Sequence, residues 1–94
     1  MKEYKAAVIG AGFIGAVHVE LLRRLGNVSV VALCDAIDAD KKAASMHIEN
    51  AYSDYKKMID EQKPDAIHIC TPNHTHYEIA KYAIEKGVNF ICEK

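Results

Sequence analysis

Ala6-Ala7-Val8-Ile9-Gly10-Ala11-Gly12-Phe13-Ile14-Gly15 carries a short unbroken apolar run straight into three spaced glycines. A continuous run of this kind predicts a strand buried on both faces. Beyond it, Ile14, Val17, His18, Leu21, Leu22 and Leu25 recur at spacings of three and four. That period predicts an amphipathic helix, and Gly26 predicts its left-handed cap. G-x-G-x-x-G is a weak signal alone, but a buried strand before it and a helix after it supply the context it needs. Gly10 permits the sharp turn, Gly12 lets backbone approach a pyrophosphate, and Gly15 lets helix and strand pack closely. The free N–H groups and positive dipole end of the helix then face the phosphates.

Further along, the β-branched run Val28-Ser29-Val30-Val31-Ala32-Leu33-Cys34 reads as a second strand, and Asp35 ends it. A carboxylate there accepts hydrogen bonds from the ribose hydroxyls of a dinucleotide and repels a 2′-phosphate. Ala36 and Ile37 follow, with no adjacent arginine, while Lys41 and Lys42 lie farther on. The pattern favours NAD over NADP.

Residues 38–47 predict a weaker helix with Ala43, Ala44 and His47 on one side, and residues 48–52 a third strand. Ser53, with Asp54 in the first turn, predicts the start of a helix that ends near Gln62, before Pro64 and Asp65. Residues 66–70 form a fourth strand, Thr71-Pro72-Asn73 a turn, 77–86 a helix with Ile79, Ala80, Ala83 and Ile84 inward, and 88–92 a fifth strand. Strands alternating with helices predict a doubly wound parallel α/β sheet of about five strands in the order 3-2-1-4-5, with residues 1–94 as one incomplete domain.

Composition narrows the function classes. The 94 residues are 50% hydrophobic and 27% charged, with a formal net charge of −1. Without a basic run the chain offers no electrostatic footprint for nucleic acid or acidic membranes. Cys34, Cys70 and Cys92 are odd in number and form no C-x-x-C pair, so they read as reduced thiols packing like small hydrophobes. The glycine-broken apolar stretch 6–17 is too short to span a bilayer and lacks a cleavage site, so the expected setting is cytoplasmic. His74-x-His76 with Cys70 and Cys92 has no third ligand at a recognised spacing, and no metal site is expected. His18 and His68 read as core or edge residues.

Two later motifs, Cys70-Thr71-Pro72-Asn73-His74-Thr75-His76 and Cys92-Glu93-Lys94, follow parallel strands and so belong at the carboxyl edge of the sheet. With A-V-I-G-A-G-F-I-G and C-D, they make the whole chain resemble the N-terminal domain of the glucose-fructose oxidoreductase/inositol dehydrogenase (Gfo/Idh/MocA) family. The resemblance implies that Gly10, Gly12, Phe13, Ile14 and Gly15 form the pyrophosphate loop and that Asp35 is the ribose acid. It implies that Thr71, Pro72 and Asn73 line the middle of the cofactor and that His76 opens the helix beside it. Glu93 and Lys94 match the first two residues of the family's E-K-P signature, whose lysine reaches the nicotinamide and the substrate hydroxyl. Burial and a positively charged nicotinamide would lower that lysine's pKa toward neutrality and suit it to relay a proton.

The resemblance also places the C-terminal α/β substrate domain outside these residues. The expectation is the cofactor domain of an NAD-dependent dehydrogenase acting on a sugar, cyclitol or related polyol, binding cofactor without turnover by itself and assembling as a homo-oligomer. The alternatives are a non-catalytic NAD-binding or self-associating module, and a family member that reduces an imine or a tetrapyrrole.

Overall fold

The computed structural model describes residues 3–10, 13–71 and 73–92, with the backbone alone at 13, 14, 73, 74 and 92. Strand β1 (Tyr4–Ile9) leads to helix α1 (Phe13–Arg23), β2 (Val28–Cys34), α2 (Ala39–Ser45) and β3 (Asn50–Tyr52). Helix α3 (Tyr55–Gln62), β4 (Ala66–Ile69), α4 (Asn73–Glu85) and β5 (Asn89–Cys92) follow. Every strand pairing is parallel, and the order is β3-β2-β1-β4-β5, as the alternation of elements predicts. The order reverses at β1, so the connections after β1 and β4 leave one sheet edge toward opposite faces and open a crevice between them.

Alternate residues of β1 build the two halves of the core. Ala6 and Val8 pack with Val19 and Leu22 of α1, Leu33, Ala43 of α2 and Ile48. Ala7 and Ile9 pack with Met58 and Ile59 of α3 and Ile79 and Ala83 of α4. Helices thus cover both faces, which is why the central strands read as unbroken apolar runs instead of alternating ones. Val8, Leu33, Met58, Ile67 and Ile69 are fully buried.

The inward faces of the helices depart from the periodicity reading. Among the described side chains of α1 the buried positions are Gly15, Val19 and Leu22, whereas Val17 and Leu21, and Leu25 beyond the helix, are exposed. The reason is the contact at Gly15. That glycine fixes the rotation of the helix, so i+4 and i+7 from it face the sheet, and Leu25 lies beyond the last turn. In α2 only Ala43 is buried; Ala44 and His47 are exposed. Asp38 and His47 take left-handed φ values of 52° and 58°, which puts both outside the helix expected to span them.

Two helix starts also move. The α3 cap is Asp54, not Ser53: its carboxylate accepts the Lys56 N–H at 2.9 Å from an extended backbone. Helix α4 begins at Asn73, four residues ahead of the expected start at 77. A proline stops a helix interior but suits a helix entrance, where its missing N–H has no partner to lose. In α4, Ile84 is exposed although expected to face inward. Among the described residues no helix is long and apolar enough to cross a membrane.

Candidate functional site

The carboxyl ends of β1, β2 and β4 are tied together through backbone. The Gly10 N–H donates to the Cys34 carbonyl at 2.7 Å, and the Cys70 N–H donates to the Ile9 carbonyl at 2.8 Å. Gly10 has a φ of +94°, and a Cβ on it would stand 2.9 Å from the Cys70 carbonyl carbon and oxygen and 3.0 Å from Thr71 Cγ2. The turn therefore demands glycine twice, for its backbone conformation and for the approach of the β4–α4 connection. Gly15 has a different constraint, since a Cβ there would run into the Gly10 carbonyl. The start of α1 is thus packed against the end of β1 through Gly15 and Gly10. A bare cradle at a helix entrance of this kind fits a phosphate, whose oxygens need backbone N–H groups at close range.

Asp35 stands beside this cradle. Its N–H donates to the Tyr52 carbonyl at 2.9 Å, which fixes the end of β2 against β3. Its Oδ1 accepts the Ile37 N–H at 3.0 Å, closing an Asx turn, and its Oδ2 accepts from Lys42 Nζ at 3.2 Å. Ile37, in the same loop, is 66% exposed. A cleft of about 470 Å³ joins these parts, lined by Gly10, Asp35, Lys42, Tyr55, Thr71 and Glu78 among others. A slightly larger hollow of about 520 Å³, around Ile59, Pro64 and Gly87, lies at the other end of the strands, away from Gly10 and Asp35.

The connection after β4 is braced from α4. Thr75 Oγ1 donates to Thr71 Oγ1 at 2.6 Å, and His76 Nε2 donates to the Thr71 carbonyl at 2.6 Å. His76 thus lies one turn inside α4 and holds the Thr71 backbone, in place of opening the helix as expected. Tyr55 donates to Glu78 Oε1 at 3.1 Å across the cleft wall, and desolvation, followed by that bond, pushes its pKa up to about 12. Burial, followed by the charges of Asp35 and Asp54, pushes the Cys34 thiol up to about 12. Cys34 is therefore an inert packing group in the cleft floor and no nucleophile.

The sequence reading brings Gly12, Asp35, Asn73 and Lys94 toward one crevice; of these the structure describes the side chain of Asp35 alone, in a cleft with Gly10 and Thr71. Gly12, Pro72, Glu93 and Lys94 lie outside the described residues, as do the side chains of Phe13, Ile14 and Asn73. Sequence reasoning missed Lys42, Tyr55 and Glu78. Lys42 is seven positions from Asp35 in sequence, but one helical turn folds it back onto that carboxylate. Tyr55 and Glu78 are 23 positions apart, and no local pattern joins them. A second pair that only the fold creates is His18 with His68, whose Nδ1 atoms lie 3.0 Å apart across the α1–β4 interface. Since one ring nitrogen must donate and the other accept, the pair satisfies two polar atoms in a core of apolar neighbours.

A five-stranded parallel sheet, a Gly10 that admits no side chain, a Gly15 packed against its carbonyl at the start of α1 and an acid at the end of the second strand point to a dinucleotide-binding domain. The profile of the Gfo/Idh/MocA oxidoreductase family, NAD-binding Rossmann fold, matches residues 4–94, and the chain belongs to that family. It is 33% identical over 96 residues to D-apiose dehydrogenase of Paraburkholderia graminis, covering 100% of this chain and 26% of that protein. The crystal structure of myo-inositol 2-dehydrogenase from Lactobacillus plantarum is similar at 37% identity and a TM-score of 0.87, over 99% of this chain and 28% of that one. A levoglucosan dehydrogenase in complex with NADH and L-sorbose is similar at 31% identity and a TM-score of 0.93, over 100% and 28%. The chain thus spans little more than a quarter of the length of these relatives.

Proposed function

We propose that this chain binds NAD(H) as the cofactor domain of a dehydrogenase that oxidises a secondary alcohol of a sugar, cyclitol or related polyol. The observation that carries the reading is the junction at Gly10. Gly10, Asp35 and Thr71 line one cleft there, and the backbone bonds at Gly10 leave that position no room for a side chain. The relatives named above, all dehydrogenases of sugars or cyclitols, support the substrate class.

In this reading the Gly10–Gly15 turn and the α1 entrance, with Gly12, Phe13 and Ile14, hold the pyrophosphate, and Asp35 accepts the adenosine ribose hydroxyls. Thr71, Pro72 and Asn73 flank the middle of the nucleotide, with His76 bracing the Thr71 carbonyl. Glu93 and Lys94 follow β5 in sequence, and Lys94 polarises the substrate hydroxyl and relays its proton toward the principal acid/base group. The nicotinamide, when bound, supplies the hydride acceptor. A cytoplasmic setting with reduced cysteines goes with this chemistry.

Isothermal titration of the chain with NADH should show one saturable site. The same sample with NAD and polyols should produce no NADH above background, because the family resemblance places the principal acid/base group and the substrate pocket outside these 94 residues. Failure to bind NADH sinks the cofactor reading, and turnover sinks the division of labour.

A second reading, self-association, draws on a different observation. Among the described residues β5 pairs with β4 alone, and Ile91 on it is 51% exposed. An open strand edge with an apolar residue favours pairing with another copy. Light scattering should then report a dimer or larger species, and a clean monomer would rule this out.

A further inference from the structure

The Asp35–Lys42 pair carries more than the position of an acid. Lys42 Nζ lies 3.2 Å from Asp35 Oδ2, with the lysine side chain 34% and the aspartate 15% exposed. Both line the cleft that also holds Gly10 and Thr71. A lone carboxylate in that position presents a full negative charge to anything attached at the ribose 2′ position. A carboxylate shared with an ammonium presents roughly none, and the Asx bond from the Ile37 N–H anchors the other oxygen. Lysine is a compact charge on a flexible stem with three rotatable donors, so it can leave Asp35 for a phosphate oxygen without moving its helix. The hollow beyond Asp35 is lined by Asp38, Asp40 and Lys41, which leaves the surroundings slightly acidic. That acidity still favours the unphosphorylated ribose.

We infer that Lys42 is a specificity-determining residue that lets this nucleotide site accept a 2′-phosphorylated dinucleotide alongside NAD(H). The inference rests on the nucleotide-site reading given above and deepens it. Lys42 either stays on Asp35 and offsets its charge or turns its ammonium to the phosphate, and both routes vanish on its removal. A charge-assisted hydrogen bond alone changes an affinity by about tenfold or more. Lys41 is the internal comparison: it has the same charge one position earlier and lines the outer hollow, not the cleft.

The experiment is titration of the full chain with NADH and with NADPH, in wild type and in Lys42→Gln, Lys42→Arg and Lys41→Gln. Wild type should bind both, NADH the more tightly. Lys42→Gln should raise the ratio of the NADPH to the NADH dissociation constant by about tenfold or more, while Lys42→Arg and Lys41→Gln hold it near wild type. Wild type that binds NADH and refuses NADPH overturns the inference, and so does a ratio unmoved by Lys42→Gln or moved equally by Lys41→Gln. Wild type that binds neither nucleotide overturns the nucleotide reading itself, and the inference falls with it. Circular dichroism of each variant separates loss of fold from loss of discrimination.

Discussion

A Gly10→Ala chain is expected to bind NADH about a hundredfold more weakly than wild type and to unfold at a lower temperature. Two costs combine in it. At a φ of +94° an alanine is strained, by about 1–3 kcal/mol. The added Cβ would also stand 2.9 Å from the backbone carbonyl of Cys70, which cannot swing aside as a side-chain tip can. Relief requires Gly10 and the Cys70–Thr71 backbone to part, and in the proposed reading these flank the bound phosphates. The stability loss should be about 2–4 kcal/mol, or roughly 10–25 °C for a domain of this size. Gly26→Ala is the matched control. Gly26 also has a positive φ, +77°, but a Cβ on it meets nothing within 4 Å. It should cost about 1–2 kcal/mol of stability through backbone conformation alone and leave NADH binding as it was. Calorimetric titration alongside thermal melts makes the comparison. If the two alanine variants lost affinity equally, the crowding at Gly10 would have nothing to do with the nucleotide.

That control shows where the sequence was legible and where it was not. The glycine spacing announced a turn before a helix, because the positive φ at Gly10 is a local demand for glycine, although the crowding by Cys70 that reinforces it comes from a distant strand. The parallel sheet and its order were legible for a related reason. Runs such as 6–9 and 28–34 are apolar without alternation only if helices bury both faces, which leaves few topologies open. What failed was rotation and reach. The apolar spacing of α1 selected Val17, Leu21 and Leu25 along with Leu22 and passed over the buried Val19. The choice between them is made by the seat of Gly15 on the Gly10 carbonyl, a contact between backbones that hydrophobicity does not register. Lys42 was discounted on distance along the chain, although the turn at 36–38 and one turn of α2 bring its amine back to Asp35. The Tyr55–Glu78 bond and the His18–His68 pair join helices or a helix and a strand that are distant in sequence, so a single chain read by period cannot supply them.

Asp35→Asn is expected to weaken NADH by about 10–100-fold while NADPH weakens far less or gains, so that the preference between the two reverses. The substitution isolates charge. Asparagine keeps an oxygen that can accept the Ile37 N–H, so the Asx turn survives, and it keeps the volume of the side chain. It no longer offers a charged acceptor to two ribose hydroxyls. Hydrogen bonds to charged groups contribute about 1.5–3 kcal/mol against about 0.5–1.5 for neutral ones, and the difference over one or two bonds gives the predicted range. For the 2′-phosphate the sign is opposite, because the repelling carboxylate is gone and Lys42 no longer has an anion to hold it. Folding should change little, since the Asp35–Lys42 pair is partly solvated and such pairs are worth at most about 1 kcal/mol. Asp35→Ala should add the loss of the Asx bond and so lower stability as well as NADH affinity, which separates the turn-forming role from the charge. Equal weakening of both nucleotides by Asp35→Asn would mean that the carboxylate only shapes its loop, whereas a reversal that disappears in the Asp35→Asn/Lys42→Gln double variant would place the discrimination in the pair of charges rather than in either alone.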